Sequence, residues 1–199
     1  MRKRLPGQER PRAAPLGLAL ALLLATSPLT AAEEEQAPPG RLAIVEGRPT
    51  SPVLSLDALD GGRVTLAPDD APTIVHFFAT WCVPCRTELP ALAGFARRSG
   101  VPVLMVDVAE PADRVRRFFA EGTAGPAPGP VLMDQNRAAA RAWGASLLPA
   151  SFVVMSGRIL LAREGEVDWA DPETLAVITA AAVASARTQP RDFQGEQTR

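Results

Sequence analysis

The apolar residues of this chain fall into blocks whose period changes along the sequence. Thr73-Ile-Val-His-Phe-Phe-Ala79 and Val101–Val108 are nearly continuous apolar runs, the pattern of short strands buried on both faces. Between them, Cys82 to about Arg98 has helical spacing with Pro90 inside it. Ala112–Glu121 is amphipathic, with Val115, Phe118 and Phe119 turned inward. Val131-Leu-Met-Asp134 reads as a brief strand, Asn136–Trp143 as a short helix, Ala150–Met155 and Ile159–Glu164 as a hairpin across Ser156-Gly157, and Asp171–Ala186 as a closing helix. Upstream, Leu54–Leu66 reads as a small hairpin that turns at Gly61-Gly62. Helices alternating with apolar strands predict an α/β fold whose sheet is covered on both faces.

Composition adds a globular balance, 47% apolar and 22% charged, and the length of 199 residues suits one domain with extra segments. The N-terminus does not belong to that domain. Five basic residues precede or flank the start of an apolar stretch, Leu16–Ala25, which leads to small residues at Thr30-Ala-Ala32. This is the pattern of a secretory signal, with cleavage expected after Ala32. An uncleaved membrane anchor is the alternative, but the stretch is about half the roughly 20 residues a spanning helix needs. Residues 33–49, acidic and Pro-rich at their start, are read as a flexible linker, residues 50–186 as the domain and residues 187–199 as a disordered tail. Removal of residues 1–32 takes the formal charge from −1 to −5. A mildly acidic surface argues against nucleic-acid binding.

The chemistry lies in Trp81-Cys82-Val83-Pro84-Cys85, which holds both cysteines of the chain and joins the strand at 73–79 to the helix that follows. A C-x-x-C pair at such a junction sets its first sulfur beside unpaired helix N–H groups, whose partial positive charge favours thiolate, the reactive species in disulfide exchange. Pro84 suits a first turn, where its missing N–H has no intrahelical role. Zinc needs about four ligands, and His76 is the one histidine here. Haem attachment needs a histidine after the second cysteine, where Arg86 stands. A purely structural disulfide closing so short a loop would constrain the unfolded chain little. Redox exchange is the reading that remains. Cys82, nearer the helix start and expected to be exposed, is the candidate nucleophile, and Cys85, deeper in the helix, the resolving thiol. In an exporting context, a compartment where disulfides persist is expected, and a reductant there needs an outside electron source.

Phe77-Phe-Ala-Thr-Trp-Cys-Val-Pro-Cys-Arg-Thr-Glu-Leu-Pro90 and Ser146-Leu-Leu-Pro149-Ala-Ser-Phe-Val-Val resemble the active-site and cis-proline segments of the TlpA/ResA/CcmG group of exported thioredoxin-like oxidoreductases. The resemblance covers about residues 50–186. It implies a thioredoxin-like fold, a central mixed sheet flanked by helices on both faces, with an inserted helix and strand at about Ala112–Asp134. It implies a periplasmic protein-disulfide reductase set in cytochrome c maturation or assembly of copper-containing oxidases. The partners implied are an exported protein carrying a disulfide and a membrane thiol-electron carrier of the DsbD/CcdA kind, with no cofactor, metal or nucleic acid. Two other readings stay open: a net oxidant or isomerase of exported proteins, and a copper(I) chaperone using both thiolates.

The same resemblance assigns roles beyond the cysteines. Pro149, after Leu148 and just before an apolar strand, is taken as cis, with the neighbouring backbone pairing an extended substrate; an ordinary trans proline at a strand start is the alternative. Trp81, Pro84, Leu148 and Pro149 are the substrate contacts, although Trp81 also suits simple packing. Glu88, three residues after Cys85, matches an acidic residue that tunes the thiols, but a solvated glutamate early in a helix explains it as well. His76 occupies the position of thioredoxin's buried acid beneath the disulfide, where it either moves protons or only packs. Ala145-Ser-Leu-Leu departs from the family's Val-x-Gly-x turn before the proline.

Overall fold

The apolar run at Thr73–Phe78 becomes β4, the strand on which the molecule is organised. The computed structural model describes residues 40–122 and 124–188, so the signal expected at 1–32, residues 33–39 of the linker and residues 189–199 of the tail lie outside them. In chain order the elements are β1 (Ala43–Ile44), β2 (Ser55–Asp57), β3 (Arg63–Thr65), β4, α1 (Val83–Ser99), β5 (Val103–Val108), α2 (Ala112–Ala120), β6 (Val131–Asp134), α3 (Ala138–Trp143), β7 (Ala150–Met155), β8 (Arg158–Glu164) and α4 (Pro172–Thr188). Six strands form one sheet in the order β1-β8-β7-β4-β5-β6, and β2-β3 is a separate hairpin. β4, β5 and β6 run parallel, whereas β7 and β8 are antiparallel to their neighbours, which makes the sheet mixed. The added α2 and β6 extend the parallel edge, as the inserted helix and strand require.

Alternation along β4 sorts its side chains between two cores. Ile74 and Phe78 face the cluster formed with Cys85, Leu89, Leu92 and Phe95 of α1, Val115 and Phe118 of α2 and Ile178 of α4. Val75 and Phe77 face a second cluster with Ala139, Ala140 and Trp143 of α3 and Leu54 beside the β2-β3 hairpin. Both faces of the sheet are therefore covered, which explains why β4 reads as an unbroken apolar run.

Two boundaries differ from the sequence reading. Residues 40–49 are not linker: Gly40 bridges Val167, and Ala43–Ile44 pair with Leu161–Ala162. This short strand supplies partners to the outer edge of β8, whose backbone groups would otherwise face solvent. Two residues do that work with almost no apolar pattern, since Ile44 itself is exposed. At the other end α4 runs on through Arg187 and Thr188, inside the expected tail, and Thr188 is tied by its hydroxyl to the Ala184 carbonyl.

Candidate active site

β4 ends at Phe78, and Ala79-Thr80-Trp81 carries the chain to Cys82, the N-cap of α1. The Cys82 sulfur accepts the N–H of Cys85 at 3.3 Å, so it occupies the place where helix dipole and free N–H groups meet. Pro84 lies in the first turn, as expected, and Cys82 and Cys85 are joined as a disulfide. Cys85 is fully buried, and Cys82 is 5% exposed. Cys82, expected to be exposed, is thus more covered than its place at the helix start implied, with its sulfur set against the Cys85 N–H. The exposed surface around it is Trp81 at 58% and Val83 at 57%. About two turns further on, Pro90 is exposed on the outer side of α1, and Gly100 ends the helix in a left-handed cap whose N–H bonds the Ala96 carbonyl.

The segment expected to contact substrate reaches the same end of the sheet. Ala150, the first residue of β7, pairs with Phe77, so Pro149 and Leu148 lie beside the stretch that leads from β4 to Cys82. The Leu148–Pro149 bond is cis. Leu148 is half-buried, and the neighbouring Leu147, which the sequence reading did not single out, is exposed.

Under α1, His76 and Glu88 meet. The β4–β7 register sets Ser151 opposite His76 on the same face, and the His76 Nδ1 hydrogen-bonds the Ser151 hydroxyl at 2.9 Å. On its other side His76 Nε2 lies 3.3 Å from Glu88 Oε1, and Glu88 Oε2 accepts the Val167 N–H at 2.9 Å. Both side chains are buried, so Glu88 is not the solvated glutamate of the alternative reading. It falls on the inner stripe of α1 with Cys85, Leu89 and Leu92. Burial pushes the His76 imidazole down to about 3 and, despite the Val167 N–H, pushes the Glu88 carboxyl up to about 8. Near neutral pH the pair is accordingly uncharged. The 3.3 Å approach does not make a hydrogen bond, and neither His76 Nε2 nor Glu88 Oε1 has a hydrogen-bond partner among the described residues.

A second acidic pair, missed in the sequence, stands at the end of β5. Glu110 accepts both the N–H and the hydroxyl of Thr80, two residues before Cys82, and pairs with Arg114 at 3.0 Å. Ala109, in a left-handed conformation with φ 65°, aims the chain there. Burial first, then Glu110, pushes the fully buried Asp107 carboxyl up to about 8, so it is held as the acid and is able to donate to Glu110. The only signal available beforehand was an acidic residue ahead of Pro111 at the end of an apolar strand, which also fits an ordinary loop. Among the described residues, no three His, Cys, Asp or Glu side chains converge to hold a metal ion.

A mixed sheet feeding a helix that starts on a dithiol pair is the architecture of thioredoxin-like proteins. The chain belongs to the AhpC/TSA family, whose family model matches residues 50–163. It is 35% identical over 119 residues to the thiol:disulfide interchange protein CycY of Rhizobium leguminosarum bv. viciae, covering 59% of this chain and 58% of that protein. Over 119 residues it is 29% identical to the thiol-disulfide oxidoreductase ResA of Bacillus subtilis (strain 168), covering 58% of this chain and 64% of ResA. The chain spans about half the length of the curated relatives it matches. Among solved structures, a secreted thiol-disulfide isomerase from Corynebacterium glutamicum superimposes with a TM-score of 0.60 at 21% identity, over 74% of this chain and 96% of that one, a likeness of fold.

Proposed function

We propose that the chain is an exported thiol-disulfide oxidoreductase that works chiefly as a protein-disulfide reductase. The observation that carries this reading is the Cys82 sulfur set on the N-terminus of α1 with Cys85 buried one turn behind it. The relatives, named thiol:disulfide interchange proteins and a thiol-disulfide oxidoreductase, support it. In the reduced protein the Cys82 thiolate attacks one sulfur of a substrate disulfide, and the other substrate sulfur leaves as a thiolate that takes up a proton. Cys85 then gives up its proton and attacks the Cys82 sulfur, which frees the second substrate thiol and leaves the Cys82–Cys85 disulfide. Two electrons have moved to the substrate. Glu88, on the same inner face as Cys85, is the group we assign to accept that proton in its ionised form, a fraction that grows as pH rises toward 8. Trp81, Pro84 and Leu148 offer the surface for an extended segment of the substrate, and the buried Pro149 shapes the backbone beside them.

The setting is periplasmic, with the signal removed after Ala32, and electrons arrive from a membrane thiol carrier of the DsbD/CcdA kind. Exported proteins of cytochrome c maturation or oxidase assembly are the substrates. No helix among the described residues is long and apolar enough to cross a membrane. The test is a pair of variants. Cys82→Ala abolishes reduction of a protein disulfide, and Cys85→Ala accumulates mixed disulfides through Cys82; faster alkylation of Cys85 than Cys82 at neutral pH would reverse the assignment. The pair's reduction potential separates this reading from the oxidant: a reductase lies nearer about −270 mV than about −120 mV.

A further inference from the structure

The segment Ala145-Ser-Leu-Leu-Pro149, where the chain departs from the family pattern, is held by a carboxylate on the adjacent strand. Glu164 is the last residue of β8 and the register partner of Ala150, the first of β7. From that position its Oε1 accepts the N–H of Ser146 at 2.6 Å and the N–H of Leu147 at 2.9 Å. The Gly165 N–H bonds the Pro149 carbonyl at 2.8 Å and closes the same end of the sheet. Among the described residues no arginine lies within ion-pair reach of Glu164, so its charge is directed at these two N–H groups. The side chain is exposed and adds nothing to either apolar core.

What the clamp fixes is the stretch just before the cis proline. Leu147 stands 65% exposed and Leu148 half-buried, one apolar contact and one main-chain unit at the end of the sheet where the Cys82–Cys85 pair sits. The Ser146 N–H also bonds the Gly144 carbonyl at 2.9 Å, but the Leu147 N–H has no other backbone partner among the described residues, and without Glu164 that unit would sample more conformations. Ordering it on binding would cost affinity, and ordering it beforehand removes that cost. The structure assigns Glu164 the role of positioning residue for protein substrates: its carboxylate holds Ser146 and Leu147 so that the segment ahead of Pro149 meets an extended disulfide-bearing chain already in place. This rests on the reading above that substrates dock on Leu148 and Pro149.

The test uses the exported protein without its signal, turned over with dithiothreitol, on two disulfides: oxidised insulin, which must dock, and a dipyridyl disulfide, which needs little beyond the Cys82 thiolate. Glu164→Ala is expected to raise KM for insulin about tenfold with kcat within about twofold, as loss of charge-assisted bonds at an exposed site implies. The rate on the dipyridyl disulfide changes less than about twofold, and Glu164→Gln, which keeps an acceptor oxygen, recovers most of the loss. An unchanged insulin KM, or equal losses on both disulfides, would overturn the assignment. Leu147→Asp separates it from the docking reading. If that variant raises the insulin KM and Glu164→Ala does not, only the clamp fails; if neither does, docking at this segment fails with it.

Discussion

His76 and Glu88 form a salt bridge only in name. At 3.3 Å an imidazolium and a carboxylate would attract strongly, but each would first have to leave water, and for side chains this deep the desolvation cost outweighs the attraction. Kept neutral, both groups avoid that cost. Burial is the cause that holds Glu88 in its protonated form, and His76, bonded to the Ser151 hydroxyl through Nδ1, stands 3.3 Å from it. Replacing His76 by Asn puts an N–H donor within the same pocket, which favours carboxylate instead. If Glu88 takes the Cys85 proton, the rate of the resolving step should rise with pH to a midpoint near 8 in the native protein. His76→Asn should move that midpoint down by about one unit and lower the plateau, because a weaker base is a slower one. Stopped-flow measurement of mixed-disulfide resolution from pH 6 to 9 reads both effects; identical profiles would leave His76 with packing alone. His76 was legible in the sequence as a polar residue on a buried strand. Its partner was not, because the contact depends on which face of α1 turns inward one turn after Cys85.

Elements long enough to carry a pattern could be placed from it; elements defined by partners could not. β4, β5, β7 and α1 have apolar runs or stripes of six residues or more, and their positions follow within a residue or two. β1 has two residues and depends wholly on the edge of β8. α3 could be placed from the sequence, Asn136–Trp143 against the observed Ala138–Trp143, but its stability too depends on a partner. Six residues are too few to hold a helix in water. The buried Asp134 supplies what is missing: its two oxygens accept the N–H groups of Ala139 and Ala140 at 3.1 and 2.8 Å. Arg137, the residue before the helix, gives no side-chain cap and adopts a left-handed φ of 61°. Asp134→Ala should therefore cost about 2 kcal/mol in urea unfolding of the oxidised protein, a cap and a buried charged acceptor lost together. A change below about 0.5 kcal/mol would show that the packing of Trp143 on Phe77 and Phe152 suffices to hold α3.

Three buried groups with displaced protonation make the stability of the whole molecule depend on pH, and their signs differ. His76 titrates near 3 in the fold and near 6.5 unfolded, so its contribution is present above 6.5 and lost as pH falls toward 3. Glu88 and Asp107 are raised to about 8 from 4.5 and 3.8, so theirs are present at acid pH and lost as pH rises toward 8. From pH 4.5 to 6.5 the His76 and Glu88 slopes cancel and Asp107 alone weakens the fold as pH rises; above 6.5 both acids act in the same direction, and the fold weakens more steeply. Glu88→Gln isolates one of them, because glutamine keeps the shape and the acceptor for Val167 but has no proton to lose. The stability of the variant relative to the native protein should climb by about 1.4 kcal/mol per pH unit between pH 4.5 and 8, then level off. Urea unfolding of both oxidised proteins at a series of pH values measures it. A difference that stays flat across that window would mean that Glu88 is already ionised in the fold at pH 5, and the uncharged pair beneath α1 would have to be abandoned.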